Sequence, residues 1–133
     1  MSTTTPHSSF VKVERRPVTV EERGWIHDIV SANPAWADVQ LGDLVVVAEC
    51  ACGCRSVVLE DPGHIQNPKF INHQGLVGEI DLGIRFDGRD DVVSILLHFA
   101  EGNLSVLEVV WYNFPEPVPH NWTEVSRDLR IGD

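Results

Sequence analysis

From Glu79 to Phe86 the chain reads EIDLGIRF, and its polar and apolar residues alternate with a period of two. Leu76, Ile80, Leu82, Ile84 and Phe86 then share one face of a strand, while Glu79, Asp81 and Arg85 occupy the other. A strand with one wet face belongs to an antiparallel sheet, because a parallel strand is buried on both sides. This segment fixes the remaining question: which parts of the chain pair with it, and what covers its apolar side.

Further strands are expected on both sides of it in sequence. Leu44 to Ala51 is apolar and β-branched, and Val57, Val58 and Leu59 follow the cysteine-containing stretch before Asp61-Pro62-Gly63 marks an exit. Asp91 to Phe99 and Leu104 to Tyr112 flank Glu101-Gly102-Asn103, where glycine and asparagine tolerate positive φ, so a meander results. Phe10 to Arg15 reads as an edge strand ahead of Pro17. One helix covers the sheet: Thr19 and Glu22 form a capping box, and Trp25, Ile26, Ile29 and Val30 recur at helical spacing until Asn33-Pro34. Asn121 is read as the cap of a short final helix carrying Trp122, Val125 and Leu129. The expected fold is α+β, with an N-terminal helix packed on an antiparallel meander of about five strands. Its core should hold Trp25, Ile29, Ile80, Leu82, Ile84, Ile95, Leu97, Leu107, Val109 and Trp111.

A chain of 133 residues is the size of one domain and should bury about two-thirds of its unfolded surface. Residues 1–9 are expected to be a disordered tail, with the α+β domain spanning 10–133. MSTTTPHSS has neither the basic nor the apolar region of a secretory signal, and no aliphatic run approaches the roughly 20 residues needed to span a bilayer. A cytoplasmic protein without membrane contact is expected.

The formal net charge is −10. Between Asp38 and Glu116 there are 13 acids against Arg55, Lys69, Arg85 and Arg89, so phosphate backbones find few counter-charges and nucleic acid is not expected as a partner. A basic protein suits this chain better. The candidate contact residues are Glu79 and Asp81 on the wet face of the strand, together with Asp87, Asp90 and Asp91 in the connection that follows. Acidity that only keeps the domain soluble is the competing explanation.

The sharpest local motif is ECACGCRS, Glu49 to Ser56, with cysteines at 50, 52 and 54. Three thiols within five residues cannot staple a secreted fold, which argues for a reducing compartment. If metal is present, Cys50, Cys52 and Cys54 would hold it, but Cys-x-Cys-x-Cys is not a zinc knuckle and a fourth ligand such as His64 or His73 would be needed. A two-residue loop at Cys52-Gly53 would put Cys50 and Cys54 on opposite faces. A three-residue loop, Ala51 to Gly53, would place them opposite each other, with Val45, Val47, Val57 and Leu59 on a common face. The second register is preferred, and with it a tight turn of packed thiols rather than a metal clamp. Nucleophilic chemistry would require a histidine to activate a cysteine, and His64, His73 and His98 carry no local signature for it. His98 and His27 read as solvated outer-face residues. No glycine-rich phosphate loop, Gly-x-Ser-x-Gly or His-Glu-x-x-His occurs, so no enzymatic activity and no cofactor are expected.

VVAECACGCRSVVL and EGNLSVLEVVWY together resemble a family of small uncharacterised bacterial proteins in which a Cys/Gly-rich turn joins two strands and a Gly-x-Leu-Ser-x-Leu-Glu strand follows. Gly102, Leu104, Ser105, Leu107 and Glu108 match that later pattern, and the resemblance covers most of Val18 to Pro119. It implies the fold and a bacterial origin, and no catalytic residue. The chain is also similar in general type to immunity proteins of bacterial toxin systems, by analogy of size, charge and fold class. The resulting expectation is a non-enzymatic acidic binding protein that neutralises a basic toxin. The alternative is a small zinc- or thiol-dependent protein centred on the cysteine turn.

Overall fold

The computed structural model describes residues 10–39, 41–51, 54–61, 67–111 and 121–132. Strand β1 (Phe10–Pro17) precedes helix α1 (Val20–Ala32), and β2 (Val45–Cys50), β3 (Val57–Glu60), β4 (Gln74–Phe86), β5 (Arg89–Ala100), β6 (Asn103–Trp111) and β7 (Thr123–Ile131) follow. The strands form one antiparallel sheet of seven, in the order β1-β2-β3-β6-β5-β4-β7. The architecture is α+β as expected, with two more strands than the sequence suggested.

Most of the extra width comes from β7. Trp122, Val125 and Leu129 have helical spacing, but Thr123 to Ile131 pairs with β4 as an edge strand. The same residues also satisfy a period of two, in which Arg127, Leu129 and Ile131 alternate with Ser126, Asp128 and Arg130. The open edge of β4 decides between the two readings, since its backbone groups need partners that a helix would not supply.

The helix starts as its sequence dictates. Thr19 Oγ1 accepts from the Glu22 N–H at 3.0 Å, and Glu22 Oε1 accepts from the Thr19 N–H at 2.8 Å. At its far end Asn33 is buried, donating through Nδ2 to the Val77 carbonyl at 2.9 Å and accepting from the Ala35 N–H at 2.9 Å. That carbonyl lies at a register shift in β4 between Leu76 and Gly78. The shift corrects the sequence reading: Val77 is fully buried, whereas Leu76, assigned to the core face, is only half-buried. Gly78 lets the helix settle on the strand, because a Cβ there would sit 2.9 Å from Ile29 Cγ2 and 2.8 Å from the Arg130 carbonyl.

α1 rests on β4, β7 and β5, and all ten expected core residues are buried. Both meander turns are two-residue hairpins with positive φ at each central position: Asp87 (49°) with Gly88 (75°), and Glu101 (52°) with Gly102 (79°). In the second turn the left-handed non-glycine residue is Glu101 rather than Asn103, which pairs with Ala100.

Helix and sheet leave two unlike faces. The reverse side of β4 and β5 shows Glu79, Asp81, Leu96 and His98, all half-buried, around a fully buried Ser94. Among the described residues no second layer of secondary structure covers this side.

Candidate functional site

The cysteine turn is wider than a three-residue loop. Cys50 donates its N–H to the Ser56 carbonyl at 3.1 Å, and Glu49 lies opposite Val57, so Cys54 does not face Cys50 and Arg55 does not face Glu49. A second register shift, between Val46 and Ala48, places Val46 opposite Leu59. The buried face is therefore Val46, Val57 and Leu59, with Val45 and Val47 half-buried, which corrects the expected face. The cause is long-range: Ser56 is buried and its Oγ accepts from the Val109 N–H of β6 at 2.8 Å, which pins the end of the turn from outside the hairpin. Cys52 and Gly53, on which the loop geometry also rested, lie outside the described residues, as does His64.

Cys50 is buried and Cys54 half-buried at the wall of a cleft of about 350 Å3, shared with Arg16, Thr19, Glu22, Glu49, Arg55 and Ser56. The charges in this cleft are engaged with one another. Arg16 donates to Glu22 at 3.0 and 3.3 Å and to Glu49 at 3.3 Å, and Arg55 pairs with Glu21. Burial would raise the Glu22 carboxyl, but the Arg16 guanidinium and the Thr19 N–H outweigh it and hold Glu22 below the usual carboxylate range.

Arg55 is the residue here that sequence reading missed. Its Cζ lies 5.2 Å from the Trp25 ring and 4.6 Å from the Trp122 ring, two tryptophans that stack on each other at 6.3 Å. The side chain is only 18% exposed. It joins hairpin, helix and the start of β7, which is cation–π packing rather than a reactive group. Among the described residues no three His, Cys, Asp or Glu side chains converge on a metal position. His98, weighed as a base, lies half-buried with Nε2 2.8 Å from Glu108 Oε1, while His73 is exposed beside the Ile71 carbonyl and His27 is exposed beside Asp28.

The acidic candidates occupy a different region. Glu79 and Asp81 project from the reverse side of β4, where Arg130 of β7 bridges them, reaching Glu79 at 3.5 Å and Asp81 more closely. Asp81 also accepts from Ser94 Oγ at 2.6 Å. Arg130 is invisible as their partner as long as its segment is read as a helix. Asp87 lies in the β4–β5 turn, and Asp90 is bound by Arg85 at 2.7 Å, which holds its carboxyl below the usual range. Asp91 accepts from the Val92 N–H at 2.8 Å.

Next to this turn the sheet has a depression of about 320 Å3, lined by Gly83, Ile84, Asp90, Asp91, Val92, Val125 and Ser126. Gly83 keeps it open, since a side chain there would run into Ser126 Oγ. Val92 is 43% and Val125 56% exposed. Both valines are absent from the sequence-based site: Val92 because it lies inside an apolar strand, Val125 because its spacing places it on a helix.

No family model, curated protein or solved structure matches the chain. Among the described residues no helix is long and apolar enough to cross a membrane.

Proposed function

We propose that this chain is a non-enzymatic binding protein, that the depression beside the β4–β5 turn is its interface, and that its partner is a basic protein, most specifically a bacterial toxin that it neutralises. The observation that carries this reading is the pairing of two exposed valines, Val92 and Val125, with an acidic border of Asp90 and Asp91, and Asp87 just beyond. A small apolar floor inside a charged rim is the anatomy of a protein interface, where the floor supplies contact and the rim sets charge preference and encounter rate. Single exposed valines are ordinary, but two that share one depression are a patch. Glu79 and Asp81 belong to the same side of the sheet but do not line the depression, so they extend the acidic field without leading it.

Co-expression with a toxin encoded beside its gene should restore growth, and failure to protect would refute the immunity role. With that toxin in hand, replacing Asp87, Asp90 and Asp91 by asparagine should slow association about tenfold or more at low salt and much less at high salt. Unchanged kinetics would remove this surface from the interface. Stoichiometric zinc in protein purified without chelator, lost when Cys50, Cys52 and Cys54 become serine, would move the function to the cysteine turn instead.

A further inference from the structure

The two edges of the sheet are finished differently. β1 carries a register shift between Lys12 and Arg16 and ends in Pro17, which has no N–H, so it is a poor template for another strand. β7 has no proline, and from Ser126 opposite Gly83 to Ile131 opposite Gly78 its pairing with β4 is unbroken. The Gly132 N–H donates to the Val77 carbonyl at 2.9 Å, which sets the phase of that ladder. Ser126, Asp128 and Arg130 turn their backbone groups toward β4, and Arg127, Leu129 and Ile131 turn theirs outward. Among the described residues no strand meets that outward side.

The charges along this edge are unevenly settled. Asp128 lies directly opposite Asp81, a like-charge pair that destabilises a ladder. Asp81 is served by Ser94 and Arg130, whereas Asp128 has no ion pair among the described residues. Ile131 on the same edge is 52% exposed.

We propose that β7 pairs antiparallel with β7 of a second copy of this chain, about a two-fold axis through Leu129. In that register Leu129 exchanges both backbone bonds with Leu129 of the second copy, and Arg127 does so with Ile131 at either end. Asp128 then faces Arg130 of the second copy, twice over, and gains a cation that it lacks among the described residues of its own chain. Neighbouring registers do not fit. Centring the axis on Asp128 opposes two aspartates, and centring it on Arg127 or Arg130 opposes two arginines. Odd-numbered shifts set core-side residues against those of the reverse side. Thr123 to Val125 stay outside the pairing, so each copy keeps its valine depression open.

Sedimentation equilibrium on the full chain, from micromolar to millimolar, tests this. The chain should dimerise, and Ile131→Pro, which removes an outward N–H and no bond to β4, should raise the dissociation constant about tenfold or more with its melting curve nearly unchanged. Asp128→Lys and Arg130→Glu should each weaken association, since each opposes like charges. Mixed one to one, the two variants should associate again, because the introduced lysine then faces the introduced glutamate while the unchanged Arg130 of one copy faces the unchanged Asp128 of the other. A chain monomeric at every concentration, or an Ile131→Pro dimer as tight as the original, overturns the proposal, and folded charge variants that fail to recover on mixing overturn the register. If Arg130→Glu does not fold beside Glu79 and Asp81, the Ile131→Pro measurement alone decides.

Discussion

The two sides of β4 and β5 are made of alternate residues of the same strands, yet they are stabilised by different physics. On one side Ile80, Leu82, Ile84, Val93, Ile95 and Leu97 are almost wholly buried beneath α1 and its neighbours. On the other, Glu79, Asp81 and Ser94 are tied to one another or to Arg130, His98 contacts Glu108, and most of these groups keep partial contact with water. The first side gains from removing apolar area, so its energy is concentrated in individual side chains. The second gains from mutual neutralisation near solvent, where each pair contributes little by itself. Stability and recognition can therefore be divided between the sides without competing for the same residues.

The sharpest way to break this division is to cut into the covered side. Leu82→Ala should cost about 2 to 5 kcal/mol, read from urea unfolding, because the site is fully enclosed and cannot collapse easily. A loss below about 1 kcal/mol would mean that the helix-covered side is not where the stability resides.

An intermediate effect is expected where polar chemistry is itself buried. Glu22 caps α1 and receives Arg16 while nearly excluded from water, and Glu22→Gln should cost about 1 to 3 kcal/mol at neutral pH. Its pKa is lower folded than unfolded. The stabilisation is thus fully present above the unfolded value of about 4.3 and is lost as pH falls through the folded one. Stability of the parent chain should decline across that acid window, and the Gln variant should lack this part of the decline. Equal acid sensitivity in both would show that Glu22 is not the titrating group.

The smallest effect belongs to the open side. The triple change of Asp87, Asp90 and Asp91 to asparagine should leave the thermal and urea unfolding midpoints nearly unchanged. A larger loss would show that the turn is structural, weakening its assignment to recognition.

How much of this is legible in the sequence depends on how local each determinant is. The capping box of Thr19 and Glu22, the alternation of Glu79 to Phe86 and the expected core residues can be read directly, because residues a few positions apart decide them. The cysteine turn defeats such a reading because its register is held by Ser56 reaching Val109, 53 residues away. β7 defeats it because Trp122, Val125 and Leu129 satisfy a helical period while Ser126 to Ile131 also alternate as a strand, and only the open edge of β4 separates the two. The acidic candidates can be picked out as residues, but Arg130 as the counter-charge of two of them is lost with that strand. Val92 and Val125 become a site only once strands far apart in sequence bring them to one depression.

Arg55 has a consequence for the order of assembly. It leans on Trp25 of the helix and on Trp122 at the start of β7, and Asp28 of the same helix pairs with Arg127, 99 residues further along the chain. A 13-residue helix has little stability of its own in water, and its seat on β4, β5 and β7 is made from residues that leave the ribosome long after it does. During synthesis α1 therefore waits unsupported, and its docking comes late, when β7 arrives to close around it.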